Sequence, residues 1–287
     1  MNSDAAGGRR RRILVIDPVG TDRWVESDSA YVRSRARAGT VIDFVPLEEG
    51  PLSLESAADE AGAVPGVVRR ALELGPGHDG ILVNCFLDPG VLALRELCDV
   101  PVVGAGEGGF TFAALLADRF SVLAVAENLV PRHRRQARLL GLEDRLASVE
   151  SINVPVLALE TDPPATVQAA AAAARRAVER HGAGAVVLGC TGLARLAEAV
   201  GERCGVPVVE PLAAALKLLE THIDLGLGTS RAGLYRRPEV AKVTGWGLPP
   251  AEGGRAGDGP PGGGPPRGGP AGGEVPSRCA KSSWSPR

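Results

Sequence analysis

The sequence predicts an α/β protein of two pseudo-symmetric lobes, each a parallel sheet covered by helices, with the active site in the cleft between them. Two observations carry this prediction. Short β-branched runs alternate with amphipathic or Ala-rich stretches, the pattern of strands joined by helical crossovers. A strand–helix–strand segment then occurs twice, so one half of the chain repeats the other. The 287 residues, 44% hydrophobic and 23% charged, supply enough apolar surface for one large domain or two ordinary lobes.

In chain order the predicted strands are Arg12–Asp17, Val41–Val45, Gly80–Asn84, Pro101–Gly104, Ser121–Ala126, Val149–Asn153, Ala185–Gly189 and Pro207–Glu210. Each is a brief apolar run, too short for a helix. The most legible helix covers Ala165 to His181, with Asp162 suited to its N-cap, Pro163 to its first position and Gly182 to its end. Residues 1–12 read as a flexible arm whose arginines, Arg9 to Arg12, are solvated. Residues 238–287 read as a Gly/Pro-rich disordered tail. From Pro249 onward 20 of 39 residues are Gly or Pro, and such a segment cannot offset the entropy of ordering.

The repeat pairs Gly80–Cys85 (GILVNC) with Ala185–Cys190 (AVVLGC), and Leu97–Val103 (LCDVPVV) with Arg203–Val209 (RCGVPVV). It predicts two Rossmann-like lobes, residues 13–107 plus 212–237 and residues 108–211, with the C-terminal helix returning to the first. Cys85 and Cys190 then end equivalent strands, where the crevices of such sheets bind ligands. Cys98 and Cys204 are matched too, but they precede strands and read as packing residues. Cys279 falls in the tail.

A cysteine at a strand end, just before a helix, is expected to be drawn toward thiolate by the helix terminus and nearby N–H groups. Two such sulfurs facing one molecule suit a two-base proton transfer, in which one removes a proton from carbon and the other returns it to the opposite face. The scheme needs no metal or pyridoxal phosphate if backbone donors hold the carbanion's oxygen. Only three lysines occur, Lys217, Lys242 and Lys281, and the four histidines, His78, His133, His181 and His222, lack metal-ligand spacing. No cofactor is expected.

Four segments resemble the hydantoin racemases of the cofactor-independent Asp/Glu/hydantoin racemase superfamily: Asn84–Gly90, Pro101–Glu107, Val187–Gly192 and Thr229–Tyr235. The resemblance spans about Ile13 to Pro238. It implies an isomerase that racemises a hydantoin-like or amino-acid-derived molecule, with Cys85 and Cys190 as catalytic acid/bases. It also implies that Asn84, Phe86, Thr191 and Gly192 line the pocket and that the chain self-associates. The first strand departs from the family's Asn-Pro-Asn and reads Asp17-Pro18-Val19, which leaves Asp17 as a substrate contact or a turn cap. Gly192, in place of a histidine after Thr191, favours a hydantoin-like ligand over free glutamate.

Other readings stand beside this one. Related scaffolds decarboxylate or isomerise small diacids, and a two-lobed binding protein would keep the fold without the chemistry. Gly104-x-Gly106-x-x-Gly109 follows a strand, opens a helix and has Glu127 beyond the next strand, the pattern of an NAD(P)-dependent oxidoreductase, although the second repeat has no glycines there. His133 reads as part of a solvated first helical turn and His78 as a loop residue. A formal net charge of −2 gives no positive field for nucleic acid or anionic membrane. The apolar run Ile13–Ile16 is ended by Asp17 and Pro18, too early for a signal peptide, so the expected location is cytoplasmic.

Overall fold

A computed structural model describes residues 10–238. The predicted arm up to residue 9 and the predicted tail from residue 239 lie outside the described residues. Two four-stranded sheets account for all eight predicted strands. The first contains β1 (Arg11–Asp17), β2 (Thr40–Pro46), β3 (Gly80–Val83) and β4 (Val102–Gly104), in the spatial order β2-β1-β3-β4. The second contains β5 (Phe120–Ala124), β6 (Leu146–Ser151), β7 (Ala185–Leu188) and β8 (Val208–Val209), in the order β6-β5-β7-β8. Every pairing is parallel, and the two sheets share their central register, with Ile13 opposite Gly80 and Phe120 opposite Ala185. β3, β5 and β7 are buried along their whole length, which is why they read as continuous apolar runs rather than alternating ones.

One boundary differs from expectation. Arg12 starts the first strand as predicted, but Arg11 also belongs to β1 and not to a loose arm. Ladder bonds and side-chain partners hold this polar end in place of apolar packing: Arg11 N–H donates to the Gly39 carbonyl, Arg12 pairs with Asp43 at 2.8 Å, and Arg11 pairs with Asp224.

Among the described residues eight α-helices cover the sheets: α1 (Val25–Arg35), α2 (Ala57–Leu74), α3 (Val91–Leu97), α4 (Ala105–Leu116), α5 (Val130–Leu139), α6 (Pro163–His181), α7 (Ala197–Cys204) and α8 (Pro211–Asp224). α6 begins and ends where its caps predict. Asp162 accepts from Ala165 N–H at 3.0 Å, and Gly182 turns the chain at φ 68°, a left-handed conformation that suits glycine. Among the described residues no helix is long and apolar enough to cross a membrane.

The halves exchange helices. α4 leaves β4 of the first sheet and buries Phe110 and Ala113 with Val122 and Val187 of the second, while α8 leaves β8 and buries Leu212, Leu216 and Leu219 with Val15 and Leu82 of the first. The two helices therefore cross, and closely. A Cβ on Gly108 would lie 2.5 Å from the Ala215 backbone nitrogen and 2.6 Å from its Cα. Beyond α8, Arg231 donates to the Arg95, Glu96 and Cys98 carbonyls, which ties the chain's return across the end of α3.

Gly108→Ala is expected to lower unfolding free energy by about 1–3 kcal/mol in urea titration, the usual range for overpacking. Adding Ala215→Gly should restore little, because the clash is with backbone. Wild-type stability in the single variant would contradict the close crossing.

Candidate active site

In the strand order 2-1-3-4 the chain's direction of growth reverses between the two central strands, and ligands bind beyond their carboxyl ends. In the first sheet those ends are Asp17 on β1 and Asn84–Cys85 after β3. In the second they are Val125 after β5 and Gly189–Cys190 after β7. Asn84 N–H donates to the Ile16 carbonyl at 2.8 Å, and Gly189 N–H donates to the Leu123 carbonyl at 2.8 Å, so the same bond aims both cysteines. A Cβ at Gly189 would stand 2.5 Å from the Leu123 oxygen, so only glycine fits there.

Both cysteines line one cavity. Asp17, Asn84, Cys85, Cys190, Thr191 and Gly192 share its wall with Asp28, Glu160 and an apolar side that includes Val19, Trp24, Leu54 and Leu159. The Thr191 hydroxyl donates to the Asn84 carbonyl at 3.4 Å, joining the two cysteine motifs directly. A larger hollow, about 230 Å³ against about 60 Å³, lies between Glu48–Gly50 and Gly62–Arg70, but no cysteine lines it. Chemistry, not volume, selects the site.

Phe86 does not line the cavity, contrary to expectation. The chain turns tightly after Cys85, which sends the Phe86 ring into the second lobe's core, 5.3 Å from Phe110 and 4.9 Å edge-on from His133. His133 is likewise not solvated but fully buried on α5. Of the basic neighbours that made its segment look exposed, Arg134 and Arg135 are exposed, while the half-buried Arg132 pairs with Glu60. Asp28, Trp24 and Glu160 join the site unforeseen. On α1 the acid Asp28 reads as an ordinary first-turn partner of the helix dipole, and nothing in the sequence aims it at a cavity.

Electrostatics also depart from expectation. Burial pushes the Cys85 thiol well above its ordinary range, opposed by the Leu87 N–H and reinforced by Cys190, Asp88 and Asp17. Burial pushes Cys190 up to about 12, opposed by the Gly192 N–H and reinforced by Asp28, Glu55 and Asp17. Both residues have some accessible surface, as cavity walls must, yet protein surrounds them. α3 begins only at Val91, past the turn, so its N-terminus is too far along the chain to supply the expected thiolate stabilisation at Cys85.

Asp17 is pushed far upward too, by burial and by Asp28, against the Asn84 amide. Asn84 Nδ2 lies 3.4 Å from both carboxylates. Asp17 Oδ2 and Asn84 Oδ1 are buried without a hydrogen-bond partner. Asp28 is also raised by burial, but Arg195 pairs with it at 3.2 Å and with Glu160, bridging the lobes beside the cavity.

The glycines of Gly104-x-Gly106-x-x-Gly109 have a different task from holding a dinucleotide. Asp88 accepts from Gly106 N–H at 2.7 Å and from Glu107 N–H at 2.9 Å, and a Cβ on Gly104 would lie 2.1 Å from Asp88 Oδ1. The helix terminus that a pyrophosphate would need already carries an internal carboxylate. Glu210 does the same for α8, accepting from Leu212 and Ala213 N–H at 2.7 and 2.6 Å.

The family described as Asp/Glu/Hydantoin racemase matches residues 13–219. The chain belongs to that family. It is 35% identical over 236 residues to a hydantoin racemase of Pseudomonas sp. (strain NS671), covering 82% of this chain and 94% of the relative. Among solved structures it resembles the allantoin racemase of Pseudomonas fluorescens, with a TM-score of 0.79 and 33% identity over 82% of this chain and 100% of that one. The allantoin racemase of Klebsiella pneumoniae gives a TM-score of 0.77 and 36% identity over 82% of this chain and 96% of that one. The protein is thus an isomerase of the racemase class.

His133 makes a pH test of the joint between the lobes. Burial lowers its imidazole to about 4, although the nearby Gln136 amide opposes the shift. Neither ring nitrogen has a partner at hydrogen-bonding geometry. The fold holds the ring neutral while the unfolded chain protonates near 6.5, so its stability contribution is full above that pH and is lost as pH falls toward 4. Linkage puts the loss between pH 8 and pH 5 at about 2 kcal/mol. In urea titrations His133→Leu should lack this component, and an acid sensitivity equal to wild type would refute the assignment.

Proposed function

We propose that the protein racemises a small cyclic ureide of the hydantoin type, with Cys85 and Cys190 alternating as proton acceptor and proton donor. The observation that carries this reading is that two thiols from equivalent strand ends of duplicated lobes line one cavity. One sulfur, as thiolate, takes the proton from the ring carbon beside the carbonyl. The electron pair moves onto that carbonyl's oxygen, and the opposed thiol delivers a proton to the other face. The pair ends with one thiol and one thiolate, roles exchanged.

High thiol pKa values fit this step. A sulfur held near 12 is rarely ionised at neutral pH, but once ionised it is a strong base, which a carbon acid requires. The Leu87 and Gly192 N–H groups give each thiolate one donor. Asp17 Oδ2 and Asn84 Oδ1 offer unpaired acceptors for ureide N–H groups. Val19, Trp24, Leu54 and Leu159 offer an apolar wall for the ring's substituent.

The charge of the wall weighs against the alternatives. Among the described residues that line the cavity none is a cation, while Asp17, Asp28 and Glu160 are acids. A small diacid or a free amino acid would bring a carboxylate to that wall with no cation among the lining residues to receive it, Arg195 beside the cavity being already paired with Asp28 and Glu160. A neutral ureide brings none. The similarity to a hydantoin racemase and to allantoin racemases agrees with this preference.

The test follows optical rotation and deuterium uptake in heavy water, starting from each enantiomer of a 5-substituted hydantoin and of allantoin, with glutamate as control. Wild-type protein should racemise a ureide and leave glutamate unchanged. Cys85→Ser and Cys190→Ser should each lose about 10²–10⁴-fold in rate, the range for removing a general acid/base. Full activity in either variant would rule out the two-cysteine scheme.

A further inference from the structure

Both lobes build the turn that carries Cys85. Cys85 N–H donates to the Val83 carbonyl and Asp88 N–H to the Cys85 carbonyl, each at 3.0 Å, and Asp88 adopts φ 53°. From the other lobe, α5 brings Gln136, whose Nε2 donates to the Phe86 carbonyl at 2.6 Å and to Asp88 Oδ2 at 3.0 Å. Both partners accept, so they fix which end of the amide faces them. The contact is also crowded, for a Cβ on Gly106 would fall 2.1 Å from the Phe86 oxygen and 2.3 Å from Gln136 Nε2.

The Phe86 carbonyl and the Leu87 N–H are two ends of one planar peptide, pointing in opposite directions. Within the turn closed by Asp88 N–H on the Cys85 carbonyl, the Leu87 N–H is the backbone donor that opposes the rise burial causes in the Cys85 thiol. Whatever fixes the carbonyl's direction therefore fixes the aim of that N–H, and a donor on the carbonyl polarises the peptide and strengthens it. We propose that Gln136 is a positioning residue for Cys85, clamping the Phe86 carbonyl so that the Leu87 N–H stays on the sulfur. The catalytic meaning rests on the two-cysteine reading above, but the clamp can be tested without substrate. Cys190 needs no such clamp, because its donor, Gly192, lies in the 3-10 turn Thr191–Leu196 that follows it. It serves as the internal control.

The experiment measures iodoacetamide alkylation of Cys85 and Cys190 separately, by peptide mass spectrometry, in the full chain from pH 7 to 10. Wild type is compared with Gln136→Leu and with Gln136→Met, which keeps the side chain's length and gives the reading if the leucine variant fails to fold. Of the groups that bear on Cys85 ionisation, Cys190 and Asp17 keep their partners in all three proteins, while Asp88 loses its Gln136 donor, which makes it less anionic and would lower the Cys85 pKa, opposite to the displacement the clamp requires. Losing one donor to a thiolate should slow Cys85 roughly three- to ten-fold at a given pH and displace its pH profile upward, by up to about one unit, with Cys190 unchanged. An unaltered Cys85 profile, or equal slowing of both cysteines, would overturn the clamp. Neither result depends on turnover, so a clamp that fails leaves the racemase reading standing, and normal racemisation by the serine variants would sink that reading alone.

Discussion

Removal from water is the constraint on which this site depends. Asp17, Cys85 and Cys190 are all driven toward their neutral forms by burial before any neighbour is considered. Their mutual repulsion adds to the effect, since each thiol is raised further by the Asp17 charge, and Cys85 by that of Cys190. Such a cavity tolerates little negative charge at once. On the two-cysteine reading the transfer needs one thiolate and one thiol, so the same repulsion that makes the thiolate scarce keeps the second sulfur protonated and able to donate.

The fold supplies that environment by making each lobe complete the other. α4 and α8 exchange sheets, so neither half has a closed core without the other's helix. Around the cleft the lobes are joined at several polar points. Arg195 reaches Asp28, Arg132 pairs with Glu60, Asn128 donates to the Glu55 carbonyl at 2.6 Å, and Arg23 donates to the Leu157 carbonyl at 3.3 Å. These contacts flank the cavity rather than fill it.

Much of this was legible in the residues because strand, cap and repeat signals are local. Gly80–Val83 and Ala185–Leu188 are apolar runs with nothing to compete, and Asp162, Pro163 and Gly182 mark a helix at both ends. The repeat then placed Cys85 and Cys190 at equivalent ends. Features that depend on which way a turn rolls were not legible. Phe86 follows Cys85 directly, yet its ring packs against Phe110 and His133 in the second lobe's core, and His133 lies among arginines but faces inward. Thiol ionisation departs from expectation for a related reason. Proximity to a helix in sequence suggests stabilisation, whereas the depth of burial that outweighs it is set by segments from both lobes.

The pseudo-symmetry of the backbone does not extend to the surroundings of the sulfurs. Cys85 sits in a turn backed by Asp88, while Cys190 precedes a 3-10 turn and faces Asp28 and Glu55. Mirror-image substrates have equal free energy in solution, so the rate at limiting substrate must be the same in both directions for any enzyme that interconverts them. Maximal rate and saturation need not be equal, because bound enantiomers meet different acids on opposite sides of the ring. On the two-cysteine reading, duplication therefore fixes the positions of the acid and base, and the divergence of their neighbours sets how unequally the enzyme holds the two hands of its substrate.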